Sequence, residues 1–335
     1  MFEYNVKELG IVKAYAKYMS EFYGCACDLD VILEERNRRS MEDMKAYTKS
    51  LYEDMNFIGE TLDAPHPMGA EETKCFPVKY LCRLFQTDPL FYRLVKECET
   101  YDELISKFDA GIRYAIVDEG FKGIKAHILE RNAQRPHYVT KEQAEGYFKD
   151  AKSGNVLALE EIYFAAFTHM LIMTQEMHFP VHIHAGTTGK DCFMPEENYD
   201  PFRLVPYLCD RRIKNAWLVL LHCGFPHVRT AATVAQNFPN VWVNVAQVLP
   251  WDVINFPNIL EQLMSFASHG KIMMGTGAHI HPEINWLGAK IAKESVAIVL
   301  DRAVRRGFMT REQGQKTGEL MLYKNALRMY GFDEP

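Results

Sequence analysis

The stretches "IKAHI" (124–128), "VHIHAG" (181–186), "LLHCGFPH" (220–227) and "GTGAHIHPE" (275–283) hold seven of the chain's twelve histidines. Neutral imidazole is a strong donor to zinc and related ions, and near neutral pH it also moves protons. In an extended segment residues i and i+2 share a face. Lys125 and His127 therefore project together, as do His182 and His184. Imidazoles converging from separate segments would repel once protonated unless an ion or anion lay among them. A metal site follows as the expectation, with His184 and His222 at its centre and His182 and His127 beside them. His227, just past "LLHCGFP", reads as a helix cap or substrate contact. Lys125 reads as a carboxylated bridging ligand, a Schiff-base amine or a cation for a substrate acid. Its plain alternative is a solvated or carboxylate-paired lysine.

These segments are apolar runs that must be placed by something larger. The runs cover 56–62, 78–85, 121–128, 180–186, 217–224, 241–247 and 271–277, and longer helical patterns such as 141–178, 226–238 and 252–268 separate them. Strand, crossover and strand in repetition mean a parallel sheet. An open doubly wound sheet would carry a glycine-rich turn after its first strand, and none is present. Polar residues gather instead at the C-terminal ends of the runs, where barrel enzymes build their sites. The expected architecture is an α/β fold, a (β/α)8 TIM barrel, as a single domain over 1–335. Only seven strands are convincing. Residues 1–55 read as an N-terminal helical region, so the first strand is absent or reduced to "MFEYNV".

Composition narrows the partners. A net charge of −6 offers no basic footprint for nucleic acid. The longest apolar stretch, "YFAAFTHMLIMTQEMHFP", is interrupted by His169, Gln175, Glu176 and His178 and reads as a buried helix, not a membrane span. The first ten residues lack the basic and apolar regions of a signal peptide. Eight scattered cysteines do not form a disulfide framework and, with sixteen methionines, suit a reducing cytoplasm.

Five segments carry a family resemblance: "GFKGIKAHI", "FPVHIHAGTTGKD", "WLVLLHCGFPHVRTAATVAQNFPNVWVNVA", "KIMMGTGAHIHPEINWLGAKIA" and "YKNALRMYGF". From about residue 11 to 332 the chain resembles the amidohydrolase superfamily, in its amidohydrolase-related branch. Within that branch it is similar to the domain fused to glutamine-synthetase-like and nodulin proteins. The resemblance implies a metal-dependent barrel enzyme that hydrolyses C–N bonds, decarboxylates, or otherwise transforms small acids. It places His184 and His222 at the metal-ligand positions after strands five and six. It also sets Gly277 where the family has an aspartate that binds metal and takes a proton, and it finds no counterpart of the strand-one H-x-H. Arg83 and Glu283 fall on positions often polar in this branch.

Glycine can neither ligate nor act as a base. The leading expectation is therefore a rearranged His-rich site. In it His279, next to the flexible Gly275 and Gly277, joins Lys125 and His222 in catalysis, and His281 lines the mouth. A divalent metal is expected, zinc first, with iron or manganese as alternatives. Lys125, Arg83 and Arg229 imply a carboxylate-bearing small substrate, and Asn244, Gln247 and Glu283 are further candidate contacts. "HAGTTGKD" (184–191) reads as a loop over the mouth. Two other readings stand beside this one: a non-catalytic relative that binds a ligand or regulates a partner, and a site completed by a partner chain's strand. A homo-oligomer fits the amphipathic region 7–55.

Overall fold

The computed structural model describes residues 2–63, 71–186, 195–278 and 281–333. Seven parallel strands lie side by side in chain order: β1 (Gly59–Leu62), β2 (Tyr80–Gln86), β3 (Gly123–Ala126), β4 (Val181–His184), β5 (Leu218–Leu221), β6 (Val241–Asn244) and β7 (Ile272–Met273). Each begins inside one of the apolar runs read from the sequence. β3, β4 and β5 are buried at every position, as expected where helices cover one face and a filled lumen the other. The curled sheet with its surrounding helices is a TIM-barrel-like α/β fold.

Alternation along the strands divides two cores. Ile124, Ala126, Val181, Ile183, Leu218 and Leu220 pack outward against the helices. Cys82, Leu84, Val219, Leu221 and Met273 point inward, where Met329 and Tyr330 from the C-terminal segment join them. The floor of the lumen is therefore apolar and filled. The long helical pattern 141–178 is broken at Gly154, whose φ of 94° is left-handed, into Lys141–Lys152 and Val156–Glu176. The second of these is the apolar helix anticipated as buried. It contributes Ile162, Phe164, Phe167 and Met170 to the main core.

Residues Phe2–Val6, the proposed remnant of a first strand, form a helical turn, and helices Gly10–Tyr23, Leu29–Glu42 and Met44–Asp54 follow. Among the described residues no strand precedes β1, so β1 and β7 are both edges of the sheet. Side chains join them. Asn285 Nδ2 donates to Glu60 on β1 at 2.9 Å and to Tyr52 Oη at 2.9 Å, and its carbonyl accepts from Thr276, three residues past β7. Trp286 Nε1 donates to Asp54 at 2.8 Å, and Lys293 Nζ to the Met55 carbonyl at 2.6 Å. One helix, Pro282–Arg305, thus clips the N-terminal helices and β1 to the end of β7. Asn285→Ala leaves Glu60 and Thr276 short of a buried partner. It is expected to cost about 2–3 kcal/mol in urea unfolding, whereas a substitution at exposed Lys149 leaves the midpoint unchanged.

Candidate functional site

The mouth of the barrel is polar because the inward register places charged and imidazole side chains above the apolar floor. Lys125 pairs in register with Gln86 on one side and His182 on the other, and His182 with Val219. One step further along, His127 and His184 lie with ring centroids 5.2 Å apart, and His222 lies 4.4 Å from His184. His222 begins a turn in which His222 and Cys223 have φ of 58° and 43°, a left-handed backbone that costs non-glycine residues energy. The close approach of β4 to this turn requires Gly186, since a Cβ there would stand 2.6 Å from His222 Cβ.

The His127 and His222 rings are each oriented by a second partner. His127 Nδ1 meets Asp88 Oδ2 at 2.5 Å, and Tyr163 Oη donates to the other Asp88 oxygen. His222 Nδ1 donates to the Ala246 carbonyl at 2.7 Å, which leaves its buried Nε2 without a hydrogen-bond partner. In both rings this leaves Nε2 as the nitrogen with a free lone pair to offer, His127 Nε2 facing Lys125. Glu130 is 1% exposed, neither of its oxygens has a hydrogen-bond partner, and Oε1 lies 4.0 Å from His127 Nε2. Its loop is fixed from behind. Arg203 donates to the Asn132 and Gln134 carbonyls at 3.2 and 2.5 Å, and Glu160 accepts from the Ala133 and Gln134 amides at 2.8 and 3.0 Å. His127, Glu130 and His184 offer ligand atoms that all lie within 4.8 Å of one another.

Lys125 reaches up among these groups, 3.1 Å from His127 Nε2, 3.2 Å from His184 Nδ1 and 3.3 Å from Asp63 Oδ2. Asp63 follows β1, is 32% exposed and also accepts from Gln86 Nε2 at 2.7 Å. Burial alone would raise the Asp63 carboxyl, yet the Lys125 charge and Gln86 hold it below the ordinary range. Asp88 is likewise lowered against its burial by His127 and Tyr163. Burial pushes Glu130 the other way, up to about 8. Burial also pushes His222 down to about 3, helped by Lys125, and lowers His127 and His184. At pH 7 the rings are neutral donors beside one protonated and two ionised carboxyls.

The structure thus brings together four of the expected residues, Lys125, His127, His184 and His222. It separates others. His182 sits one layer lower, stacked on Tyr330 and bonded to its hydroxyl at 3.2 Å, so it belongs to the floor and not to the ligand group. Arg83 faces outward, donating to the Glu119 carbonyl and lying over the Phe121 ring, because it alternates with inward Cys82 and Leu84. Arg229 is exposed with its guanidinium 5.7 Å from the Phe266 ring, on the helical layer. Glu283 is spent on Arg36 at 2.6 Å and Tyr47 at 3.1 Å, tying the N-terminal helices to the barrel. Asn244 accepts from the Ala246 amide at 2.8 Å and closes its own strand end. His227 is the N-cap residue of the helix Val228–Asn237, but its side chain makes no cap bond and lies 3.4 Å from the Glu196 carbonyl. His281 is exposed at the start of its helix. His279 and most of the loop 184–191 lie outside the described residues.

Gly277 has φ of 65°, and a Cβ there would stand 2.4 Å from both Gln247 Cγ and Gln247 N. Gln247, itself at φ 66°, fills the place of any side chain at 277. The sequence reading missed Asp63, Asp88, Glu130 and Tyr163. The signals were slight: an acid one residue past a short strand, one at a helix start after "LFQ", and one three residues beyond His127.

Two predictions follow from this geometry. Folded Glu130 keeps its proton to about pH 8, whereas the unfolded chain releases it above about 4.5, so stability falls as pH rises through that window. The depressed histidines act oppositely, since below 6.5 the unfolded chain takes up protons that the buried rings refuse. Thermal melts of chelator-treated, metal-free protein should peak between about pH 6 and 7. Glu130→Gln should flatten the alkaline arm, the gap widening by up to about 1.4 kcal/mol per pH unit; parallel profiles would contradict the buried, protonated carboxyl. Gly277→Asp, which would place a carboxylate where the resemblance implies one, should instead lower stability by roughly 3 kcal/mol in the same melts.

The amidohydrolase family model matches residues 104–332. The chain is 25% identical over 156 residues to Protein fluG of Emericella nidulans, a match covering 46% of this chain and only 18% of that protein's length. A match of this extent does not establish the narrower resemblance to the fusion-protein branch. Among solved structures, a Lactobacillus casei protein described as a metal-dependent hydrolase superposes with a TM-score of 0.83 at 18% identity, covering 98% of this chain and 85% of that one. The uronate isomerase of Thermotoga maritima gives 0.68 at 17% identity, over 90% and 73% of the two chains. The glucuronate isomerase of Caulobacter crescentus gives 0.67 at 14%, over 100% and 76%. At these identities the likeness is one of fold.

Proposed function

The chain belongs to the amidohydrolase family, and from that premise we propose that it is a divalent-metal-dependent enzyme of the hydrolase or isomerase type acting on a small carboxylate-bearing substrate. The observation that carries this reading is the buried trio His127, Glu130 and His184, with the His222 ring 4.4 Å from that of His184 and its buried Nε2 without a hydrogen-bond partner. The donor set fits a divalent ion. Two rings have their far nitrogens fixed by Asp88 and Ala246, and Glu130 is a buried carboxyl without a hydrogen-bond partner, 3.6 Å from Arg131 Nε. Such orphaned groups are costly unless something satisfies them. Zinc is the first candidate for an imidazole-rich set with one carboxylate, with iron or manganese as alternatives.

A bound ion would supply Lewis-acid polarisation and a lowered pKa for water. The chain's own residues do the rest. Of the two ionised carboxylates described at the site, Asp63 is the one nearer solvent, and it replaces the aspartate absent at Gly277 as the proton acceptor. Of the three cations expected to hold a substrate carboxylate, Lys125 is the one that the described residues place at the site, since Arg83 and Arg229 point elsewhere. The solved neighbours named for uronates, which are small acids, support that substrate class. Asp88 and Tyr163 position His127 and touch nothing that reacts. A second reading, a non-catalytic ligand-binding relative, is favoured by the sealed strand end at Gly277.

Metal analysis of the purified chain should find near-equimolar divalent ion. His184→Ala should abolish it, and Asp88→Asn should weaken it about 10–100-fold. Full metal retention in both variants would overturn the site. Metal binding without turnover of any acid in a panel including uronates, with Asp63→Asn indistinguishable from wild type, would favour the second reading.

A further inference from the structure

Lys125 is 3% exposed, so water cannot solvate its charge. An ammonium has three N–H donors, and three acceptors surround Nζ: His127 Nε2 at 3.1 Å, His184 Nδ1 at 3.2 Å and Asp63 Oδ2 at 3.3 Å. His127 Nε2 is the nitrogen its Asp88-bound ring has left for a metal, and His184 is the second imidazole of the candidate metal group that the ammonium touches. A lone pair either accepts a hydrogen bond or coordinates an ion; it cannot do both. The ammonium and a divalent ion would also repel strongly at this separation in a poorly solvated lumen.

We propose that Lys125 is a built-in competitor for the metal-binding face of His127 and His184, so that metal loading requires its ammonium to leave both rings. The inference rests on the metal-site reading of the preceding section. The side chain has a route out, because Asp63 is partly exposed at the mouth and already binds the same ammonium. A flexible four-carbon stem lets the charge stay paired with Asp63 after the imidazoles are lost. Lys125 then sets the affinity of the centre for metal, and it is freed to meet an anionic substrate only in the loaded state.

The test is a zinc titration of the full-length chain by chelator competition, comparing wild type with Lys125→Met and Lys125→Gln, each background measured with and without His184→Ala. Two neutral variants are used so that one poorly folded protein does not decide the result. The proposal expects at least tenfold tighter zinc binding in a folded Lys125 variant, abolished by His184→Ala. It also expects imidazole nitrogen NMR signals that differ between wild type and variant without zinc and coincide once zinc is bound. Equal or weaker binding in the variants, with His184-dependent zinc in wild type, overturns the competition while leaving the metal site standing. No His184-dependent binding in any background overturns both.

Discussion

A lysine charge buried in the lumen of a barrel must be answered by polar groups on neighbouring strands, and the arrangement around Lys125 follows from that requirement. β3 supplies the ammonium and His127, β4 supplies His184, and the end of β1 supplies Asp63. Each acceptor needs an orienting partner. Asp88 fixes His127, Tyr163 fixes Asp88, and Gln86 fixes Asp63. A charge at one point has thus drawn in groups from several segments, and the low dielectric makes each of those pairings expensive to break.

The lumen is layered. Apolar side chains, with Met329 and Tyr330 among them, fill its floor, and the charged and imidazole groups occupy the layer above. His182 marks the boundary, since its register with Lys125 brings it to Tyr330 and not to the ligand group. The filled floor closes the lower end, so any reacting molecule approaches through the mouth, where Asp63 is the most exposed of the charged groups around Lys125.

The sheet has an edge on either side of its seam, and a single helix beginning at Pro282 carries much of the work of joining them. Asn285 bridges Glu60 to Thr276, and Glu283 gathers Arg36 and Tyr47. The carboxyl groups that do reach the imidazole layer, Asp63 and Glu130, lie on other loops. Gln247 has taken the space beside Gly277.

Apolar runs, their two-residue alternation and the helical spacing between them determined the parallel barrel, its seven strands and the convergence of Lys125, His127, His184 and His222. Those properties depend on neighbours along the chain, which a sequence displays. Tertiary structure alone decided which polar residues are used up elsewhere. Glu283 meets an arginine 247 positions away, Arg83 faces a ring on the outer layer, and His182 finds Tyr330. It also decided that Glu130, unremarkable in the sequence, is buried until its carboxyl keeps its proton. Partners distant along the chain and the loss of water are properties of the packed molecule, and no local pattern of residue types encodes them.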